Sequence, residues 1–330
     1  MRICMSKLEH GFMKNILFVA DPLDSFKIYK DSTYVMMREW QMRGARVWSC
    51  EAKDVFCQSA GKVSALMQPV ELKLEVSTGA HWYQSGAREV RSLQEMQAVV
   101  LRVDPPFNSE YFYLTHLLQL AASQGAKVFN DPKAVRDHPE KLSILEFPEF
   151  TAPTLVSRDP EKIREFHAHH KDIILKPLDG MGGMGIFRVK EDALNLGAIL
   201  ESLNKFSEQT VMAQKFIPAI EKGDKRVLLI DGQAVPYALA RIPQAGEVRG
   251  NLAAGGLGVA QELTKREQEI ANYLGPILAK RGLFLVGLDI IGEHLTEINV
   301  TSPTCFQEIK QQKGFDVAKA FVDALHKQLK

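Results

Sequence analysis

The sequence predicts an α/β protein in which an amino-terminal parallel-sheet domain precedes a two-lobed α+β domain. Apolar runs of strand length alternate with helices as far as about residue 130, which is typical of a parallel sheet. Beyond that residue hairpin patterns dominate, and a glycine-rich loop joins two apolar runs. The 330 residues also exceed one typical domain. We therefore expect domains at 13–130 and 131–330, with lobes of the second at about 150–215 and 216–330.

Strands of the amino-terminal domain are expected where apolar runs end at turn residues, at 15–20, 46–50, 98–103 and 127–129. Weaker alternation over 72–90 predicts edge strands. One helix is expected from a Ser32 cap to about residue 43, where Gly44 ends it. A second helix is expected over 109–124.

Two of these strands end at charged residues. Asp21 follows the first strand, and Arg102 and Asp104 lie at the end of the strand 98–103. Open parallel sheets bind ligands beyond the carboxyl ends of their strands. These three residues are therefore candidates for substrate binding.

The carboxy-terminal domain is expected to begin with a helix over 133–147. The elements predicted after it are a strand at 154–156, a helix at 161–170, a strand at 209–216, and a hairpin of 226–230 with 233–241. The turn of that hairpin is Asp231-Gly232, a strong signal for a two-residue connection.

Residues 173–189 carry the most specific pattern of the chain. Lys176 leads into a loop with four glycines in six positions, and the alternating residues 186–189 after the loop read as a strand. Glycines let backbone N–H groups approach an anion, and the lysine adds a positive charge. A phosphate loop of the Walker or Rossmann type would instead open a helix. We therefore predict a hairpin flap over a triphosphate, as in the ATP-grasp carboxylate–amine ligases; the alternative is a glycine-rich hairpin without a ligand.

A second hairpin predicts a metal site. If Ile291 pairs with Leu295 around the turn 292–294, then Asp289 lies opposite Glu297, and Asn299 shares their face. Opposed carboxylates repel each other unless a cation lies between them. Two carboxylates and an amide favour Mg²⁺ or Mn²⁺ over zinc. The alternative is a solvated acidic strand face.

The Asp231-Gly232 hairpin brings two arginines together. A two-residue turn pairs Arg226 with Tyr237, so that Arg226 and Arg241 project from one face. Converging guanidinium groups suit phosphate or carboxylate, although a pair of surface arginines is an open alternative.

The loop 242–258 follows this hairpin, with five glycines and little periodicity. A connection of this length in a compact domain is usually a lid or disordered. Arg249 and Asn251 give it polar groups for contacts when closed. A lid would protect a reactive acyl phosphate from water.

Several motifs closely resemble bacterial glutathione synthetase, a family of the ATP-grasp superfamily, over nearly the whole chain from residue 13. They lie at 30–32, 104–107, 176–183, 224–227, 240–243, 249–256, 287–292 and 297–304. The resemblance implies a pre-ATP-grasp domain followed by an ATP-grasp domain. It also implies ATP-dependent joining of γ-glutamylcysteine to glycine through an acyl phosphate, with release of ADP and phosphate.

The resemblance also implies roles for particular residues. Lys141 and Lys176 would bind the phosphates of ATP, backbone near 215–217 would bind adenine, and Asp224 would bind ribose. The full set of ATP-binding residues expected is Lys141, Lys176, Gly180, Gly182, Gly183, Gln214, Lys215, Phe216, Ile217 and Asp224. Glu297 and Asn299, with Asp289, would hold magnesium or manganese, two ions in all. The catalytic residues expected are Arg226, Arg241 and Arg249. The substrate-binding residues expected are Asp21, Lys30, Ser32, Arg102, Asp104, Asn251, Ser302 and Thr304.

Composition narrows the class of protein. A net charge of +1 gives no broad basic surface for nucleic acid, and no apolar run approaches the length of a membrane span. Four cysteines without metal-site spacing are expected to be reduced thiols of a cytoplasmic protein. Residues 1–12 lack the apolar run of a signal peptide, so we expect a disordered leader. The resemblance suggests a homo-oligomer.

Two other functions remain open from the residues. One is another ATP-grasp ligase, of the D-alanine–D-alanine ligase or glutamate ligase kind. The other is a non-catalytic ATP-binding protein of the kind seen in synapsins, which predicts a degraded metal face or lid. Here Asp289, Glu297, Asn299 and both hairpin arginines are present.

Overall fold

The computed structural model describes residues 14–76, 81–247, 249–250, 252 and 255–330. The predicted leader, residues 1–12, lies outside these ranges. Within them, the chain forms three sheets, built in turn from residues 15–129, 154–215 and 224–299.

The first sheet has the strand order β3-β4-β2-β1-β7-β8, with β5 and β6 also paired to β4. Its strands are β1 (Asn15–Ala20), β2 (Arg46–Cys50), β3 (Val55–Phe56), β4 (Ser64–Leu72), β5 (Tyr83–Ser85), β6 (Glu89–Ser92), β7 (Ala98–Arg102) and β8 (Val128–Phe129). The neighbours β2, β1, β7 and β8 are parallel, as predicted. Helices α1 (Ser32–Met42) and α2 (Ser109–Ser123) connect them.

The second sheet is antiparallel, in the order β11-β10-β12-β9. Its strands are β9 (Thr154–Ser157), β10 (Ile173–Pro177), β11 (Phe187–Val189) and β12 (Val211–Lys215). Helices α3 (Pro132–Asp137), α4 (Pro160–His170) and α5 (Leu196–Asn204) precede or connect these strands.

The third sheet has the order β15-β14-β13-β16-β17. Its strands are β13 (Asp224–Ile230), β14 (Gln233–Ile242), β15 (Leu257–Glu262), β16 (Leu285–Ile291) and β17 (His294–Asn299). Helix α6 (Lys265–Lys280) packs against this sheet, and α7 (Phe306–Lys313) and α8 (Val317–Gln328) end the chain. Short 3₁₀ helices occur at Leu23–Ser25, Ala52–Asp54, Leu93–Glu95, Leu142–Glu146, Pro148–Phe150 and Pro218–Lys222.

The core joins the first and third sheets. Phe18 of β1 and Trp40 of α1 belong to the same buried apolar cluster as Phe321 and Leu325 of α8. Arg43 also binds Asp323 of α8 at 2.7 Å. The amino-terminal sheet is therefore fixed against the carboxy-terminal helices.

Two helix predictions are wrong in detail. The cap of α1 is Asp31, whose Oδ1 accepts the Tyr34 N–H at 2.7 Å, whereas the Ser32 hydroxyl accepts the Phe306 N–H at 3.3 Å. The helix predicted over 133–147 ends at Asp137, because Pro139 disfavours helical backbone at His138 (φ −121°, ψ 71°).

No helix in the described ranges is long and apolar enough to cross a membrane.

Candidate active site

A cavity of about 490 Å³ is lined by strand residues of the second and third sheets and by loop residues that follow β1 and β7 of the first. Most of the predicted site residues line it: Lys30, Asp104, Lys141, Lys176, Gly180, Gly182, Gly183, Gln214, Lys215, Phe216, Ile217, Asp224, Arg226, Arg241, Arg249, Glu297, Asn299, Ser302 and Thr304. Asp21, Ser32, Arg102 and Asp289 are not among its lining residues. Asn251 lies outside the described residues. Most of the predicted residues therefore lie around one cavity, and four of them do not reach its surface.

The glycine-rich segment forms the predicted hairpin. Strands β10 and β11 are antiparallel, with Leu175 opposite Phe187, and the loop between them lines the cavity. Gly182 and Gly183 have φ of 62° and 83°, a region that favours glycine. Lys141 donates from Nζ to the carbonyl of Gly180 at 2.6 Å, which ties the loop to the site.

Lys176 enters the cavity as a poorly satisfied cation. Its side chain is buried, and among the described residues its Nζ has only long contacts, of 3.4 Å, with the Gln214 Oε1 and the Thr296 carbonyl. Burial lowers the pKa of Lys176 to about 8. An ammonium group in this state gains most from an added anion.

The end of β12 forms another wall. Gln214 donates from Nε2 to the Thr154 hydroxyl at 2.9 Å, and the Phe216 N–H donates to the Asp172 carbonyl at 2.9 Å. The guanidinium of Arg188 lies 3.5 Å from the centre of the Phe216 ring and forms a two-bond ion pair with Asp172. The phenyl ring is therefore fixed between the flap hairpin and the cavity.

The two predicted arginines converge, although in a different register. Arg226 pairs with Leu239 instead of Tyr237, since an irregularity between Val227 and Leu229 shifts the register. Arg241 lies two residues beyond Leu239, so both arginines still share a face.

Their immediate partner is a carboxylate. Arg226 NH2 donates to Asp289 Oδ2 at 2.9 Å, Arg226 Nε donates to Oδ1, and Arg241 NH2 lies 2.7 Å from Oδ2. Burial opposes ionisation of Asp289, but the two guanidiniums hold its pKa well below the usual range. Asp289 is therefore an anion that orients both arginines.

Asp224 completes this cluster. Its Oδ2 accepts from Arg241 NH2 at 2.5 Å, and its buried Oδ1 has no hydrogen-bond partner in the described part of the chain. Burial raises the pKa of Asp224 to about 7 against the opposing effect of Arg241. The free oxygen is suited to a hydroxyl donor of a ligand.

The predicted metal face has the expected register. Asp289 lies opposite Glu297, and Gly287 opposite Asn299. The predicted turn is wrong, because Ile291 pairs with His294, and an irregularity between Asp289 and Ile290 restores the register.

The donor chemistry of this face fits a hard cation. Lys141 binds Glu297 Oε1 at 2.9 Å, which leaves the second carboxylate oxygen. Asn299 donates from Nδ2 to the Gly287 carbonyl at 3.1 Å, so its amide oxygen is left for a ligand. No group of three His, Cys, Asp or Glu side chains suited to a metal occurs among the described residues. The available donors are therefore one carboxylate and one amide, with Asp289 engaged by the arginines behind them.

The absence of a side chain at Gly287 makes room for the arginine. A Cβ there would lie 2.7 Å from Cδ of Arg226 and 3.0 Å from Cβ of Pro303. Any larger residue would displace Arg226 from Asp289.

The residues at the strand ends of the first sheet hold a loop of the cavity wall in place. Asp21 Oδ2 accepts the Asp104 N–H at 2.9 Å, and Ser302 donates its hydroxyl to Asp104 Oδ1. Arg102 donates from Nε to the Thr33 hydroxyl and from NH2 to the Pro303 carbonyl, both at 3.0 Å. These bonds hold the cavity loop 302–304 against the amino-terminal sheet.

The lid segment contributes Arg249, which lines the cavity and donates from Nε to Glu247 Oε2 at 2.9 Å. Gly250 packs directly on β14, because a Cβ there would overlap the carbonyl oxygen of Arg241. The loop predicted as a lid therefore contacts β14 next to the arginine cluster.

Sequence reasoning missed Glu140. Its Oε1 accepts from the backbone N–H groups of Val300 and Thr301 at 2.9 and 3.1 Å, and from the Thr301 hydroxyl at 2.9 Å. Glu140 directly precedes Lys141 and follows Pro139, and this position could have marked it as a site residue. The prediction of a continuous helix over 133–147 hid that position. Glu308, which lines the same cavity, was also missed.

The chain matches two family models. The model described as the N-terminal domain of prokaryotic glutathione synthetase matches residues 13–136, and that of its ATP-grasp domain matches 140–314. The glutathione synthetase of Ralstonia nicotianae is 56% identical over 313 residues, which cover 94% of this chain and 95% of the relative. That of Nitrosomonas europaea is 53% identical over 315 residues, covering 95% and 98%.

Solved structures show the same fold at low identity. The crystal structure of the D-cycloserine synthetase DcsG has a TM-score of 0.68 at 16% identity, covering 96% of this chain and all of that one. The ATP-grasp ligase PsnB, complexed with minimal precursor, Mg and ADP, has a TM-score of 0.61 at 20% identity, covering 96% and 97%. The predicted fold class is confirmed. The chain belongs to the prokaryotic glutathione synthetase family and is an ATP-dependent ligase with the ATP-grasp fold.

Proposed function

We propose that the chain joins the cysteinyl carboxylate of γ-glutamylcysteine to the amine of glycine, with ATP converted to ADP and phosphate. Membership of the glutathione synthetase family supports this reaction. The observation that carries it is the arrangement of Lys176, Arg226 and Arg241 around one cavity with Glu297 and Asn299. A cation-lined site beside a hard-donor face suits transfer of a phosphoryl group to a carboxylate.

The first step is attack of the dipeptide carboxylate on the γ-phosphorus of ATP, which forms an acyl phosphate and releases ADP. Lys141 and Lys176 hold the phosphates of ATP, with the backbone of the flap loop. The hydrogen bonds described for Arg226 use its Nε and NH2, so its NH1 is the nitrogen proposed to bind the reacting oxygens. Arg241 acts beside it, and both are oriented before substrate arrives because Asp289 holds them.

The second step is attack of the glycine amine on the acyl carbon, with phosphate as the leaving group. The amide bond forms as the bond from the acyl carbon to the phosphate oxygen breaks, and the proton lost by the amine passes to the departing phosphate. Arg249 and the rest of the lid exclude water during this step.

Adenine is proposed to bind beside Phe216 and Ile217, and ribose at the free oxygen of Asp224. Glu297 and Asn299 would hold Mg²⁺ or Mn²⁺, two ions with the phosphates. Asp289, which the sequence suggested as a third ligand, would act instead through Arg226 and Arg241, because they occupy both of its oxygens. A divalent ion there would neutralise charge on the transferred phosphoryl group. A domain boundary near residue 130, a homo-oligomeric assembly and a cytoplasmic location belong to the same proposal.

Release of ADP in the presence of γ-glutamylcysteine, with and without glycine, tests the function. We expect ADP and glutathione in equal amounts when all three substrates are present. Formation of ADP with D-alanine pairs or glutamate but not with γ-glutamylcysteine would favour another ATP-grasp ligase. ATP binding without any turnover would favour a non-catalytic binder.

A further inference from the structure

Glu140 lies against the strand that carries the proposed metal donors. Its backbone carbonyl accepts the Ile298 N–H at 2.9 Å. Its side-chain Oε1 accepts the Val300 N–H at 2.9 Å, and the Thr301 N–H and hydroxyl at 3.1 and 2.9 Å. Ile298 and Val300 directly precede and follow Asn299 in the chain. One residue therefore holds the backbone on both sides of the amide that is proposed to bind a cation.

The next residue of the chain holds the other proposed donor. Lys141 binds Glu297 Oε1 at 2.9 Å. Glu297 and Asn299 are alternate residues of β17, so their side chains share one face of the strand. The dipeptide of Glu140 and Lys141 is thus bonded along the whole segment 297–301. The spacing between the two donors depends on these bonds.

A separate bond orients the Asn299 side chain. Its Nδ2 donates to the Gly287 carbonyl of β16 at 3.1 Å, which leaves the amide oxygen for a ligand. This bond sets the rotation of the amide, but it does not fix the backbone that carries it. The bonds to Glu140 supply that second constraint.

The segment before Glu140 is anchored independently of this face. The Nε2 atom of the buried His138 ring accepts from Arg281 NH1 at 2.8 Å. The Nδ1 atom then carries the proton, and it donates to the Ala134 carbonyl at 2.7 Å. Glu140 therefore extends from a fixed point on α3, so its hydrogen bonds can hold β17 in place.

The identity of the ion makes this spacing important. Mg²⁺ requires near-ideal octahedral geometry at short distances, whereas Ca²⁺ accepts longer and more variable ones. Loss of a residue that orients a metal ligand typically lowers metal affinity even though that residue does not touch the ion.

Resting on the metal face of the proposed function, we propose that Glu140 is a positioning residue for Asn299 and Glu297. It holds the two donors at the spacing that Mg²⁺ requires, and it thereby sets the preference for Mg²⁺ over Ca²⁺. It acts through its hydrogen bonds to the backbone and does not itself bind the ion.

Binding of the ATP analogue β,γ-imido-ATP, measured by calorimetry with Mg²⁺ and with Ca²⁺, tests this role without turnover. Glu140→Leu removes the side-chain acceptor. It should lower the affinity in Mg²⁺ roughly 10- to 100-fold. In Ca²⁺ the affinity should fall by a smaller factor, so the Mg²⁺-to-Ca²⁺ ratio falls. Glu140→Gln keeps an oxygen that accepts from the same groups, and it should retain the wild-type ratio.

Two further variants separate positioning from general destabilisation. Thr301→Val removes one donor to Glu140 and should lower the ratio in the same direction, by less than Glu140→Leu. Glu267→Leu is the matched control, since Glu267 is also buried and accepts a backbone N–H, from Thr264 at 2.9 Å, but does not line the cavity. It should lower stability and leave the ratio unchanged.

Other outcomes overturn the inference. An equal loss of affinity in Mg²⁺ and Ca²⁺ for Glu140→Leu would make its role merely structural. A loss of the ratio in Glu140→Gln as large as in Glu140→Leu would show that the carboxylate charge acts on the ion directly. If Glu140→Leu does not fold, Thr301→Val decides, because a wild-type ratio there contradicts the proposal. A wild-type chain whose affinity for the analogue is the same without any divalent ion refutes the proposed metal face itself, which is a separate result.

Discussion

Arg226 and Asp289 are register partners on the neighbouring strands β13 and β16, and their side chains form a two-bond ion pair in the interior. Arg241 reaches the same carboxylate from the adjacent strand β14. Three strands of one sheet thus supply two arginines and, with Asp224 of β13, two acidic side chains. The contribution of this cluster to the free energy of unfolding depends on all its members, because a buried charge that has lost its partner is far more costly than an exposed one.

We therefore expect Asp289→Asn to lower the free energy of unfolding by about 3–5 kcal/mol, since it leaves two buried guanidiniums with one anion, Asp224. Urea denaturation at neutral pH measures this change. The control is Glu269→Gln, which removes an exposed partner of Arg266 and should cost less than about 1 kcal/mol. Equal effects in the two variants would show that the cluster contributes little to stability.

This cluster shows what the sequence determined and what it did not. Alternation along β13 and β14 was enough to place Arg226 and Arg241 on one face. Their pairing was wrong because an irregularity at 227–229 leaves no signature in the residues around it. That Asp289 binds both arginines was also not predicted, since β16 pairs with β13 at sequence separations of 55 residues or more, and sequence patterns do not report such pairings.

Residues acting from behind the cavity wall were harder to place than those that line it. The prediction brought Arg102 to a strand end correctly, but its bonds to Thr33 and Pro303 come from distant parts of the chain. Glu140 was missed for a local reason, because the helix prediction ignored the effect of Pro139 on His138. The glycine loop and the alternation of β16 and β17 were predictable because each depends on neighbouring residues.

Lys176→Ala should weaken ATP binding roughly 10- to 100-fold. The reason is that, within the described part of the chain, the buried ammonium has only contacts of 3.4 Å, so a bound phosphate would be its strongest partner. Calorimetric titration with ATP measures the affinity. Lys171→Ala is the control, as Lys171 has an exposed side chain after α4. Unchanged affinity in a folded Lys176→Ala variant would remove the flap assignment.

The affinity for ATP should also depend on pH through Lys176. Its pKa is about 8 without ligand, and a bound phosphate raises it, so binding takes up a proton above pH 8. The affinity should be full below that pH and fall by up to about tenfold per pH unit above it. Titrations at pH 7, 8 and 9 test this, and in Lys176→Met the fall should disappear. An identical pH profile in the variant would assign the titration to another group.

Glu297→Gln should raise the concentration of magnesium needed for half-maximal turnover and lower the maximal rate. The reason is that Glu297 retains one carboxylate oxygen beside the Asn299 amide after its contact with Lys141. Glu293→Gln is the matched control, since this exposed acid lies in the turn of the same hairpin. The same magnesium dependence in both variants would show that this face does not hold the ion.

Gly250→Ala should uncouple the two steps of the reaction. A Cβ at this position would overlap the carbonyl oxygen of Arg241, so the base of the lid must move away from β14. ATP binding and phosphorylation of the dipeptide depend on the flap and the arginines, and they should persist. The acyl phosphate must then survive until glycine attacks it, and an ill-seated lid admits water. The amount of glutathione formed per ADP should therefore fall below the wild-type ratio, and shortening the loop 246–256 should lower it further.

Gly197→Ala, in the first turn of α5, is the control, since its Cβ would meet only Arg164 at 3.8 Å. Because a general loss of activity lowers both products together, only the ratio is diagnostic. A wild-type ratio in Gly250→Ala would mean that the lid does not protect the intermediate.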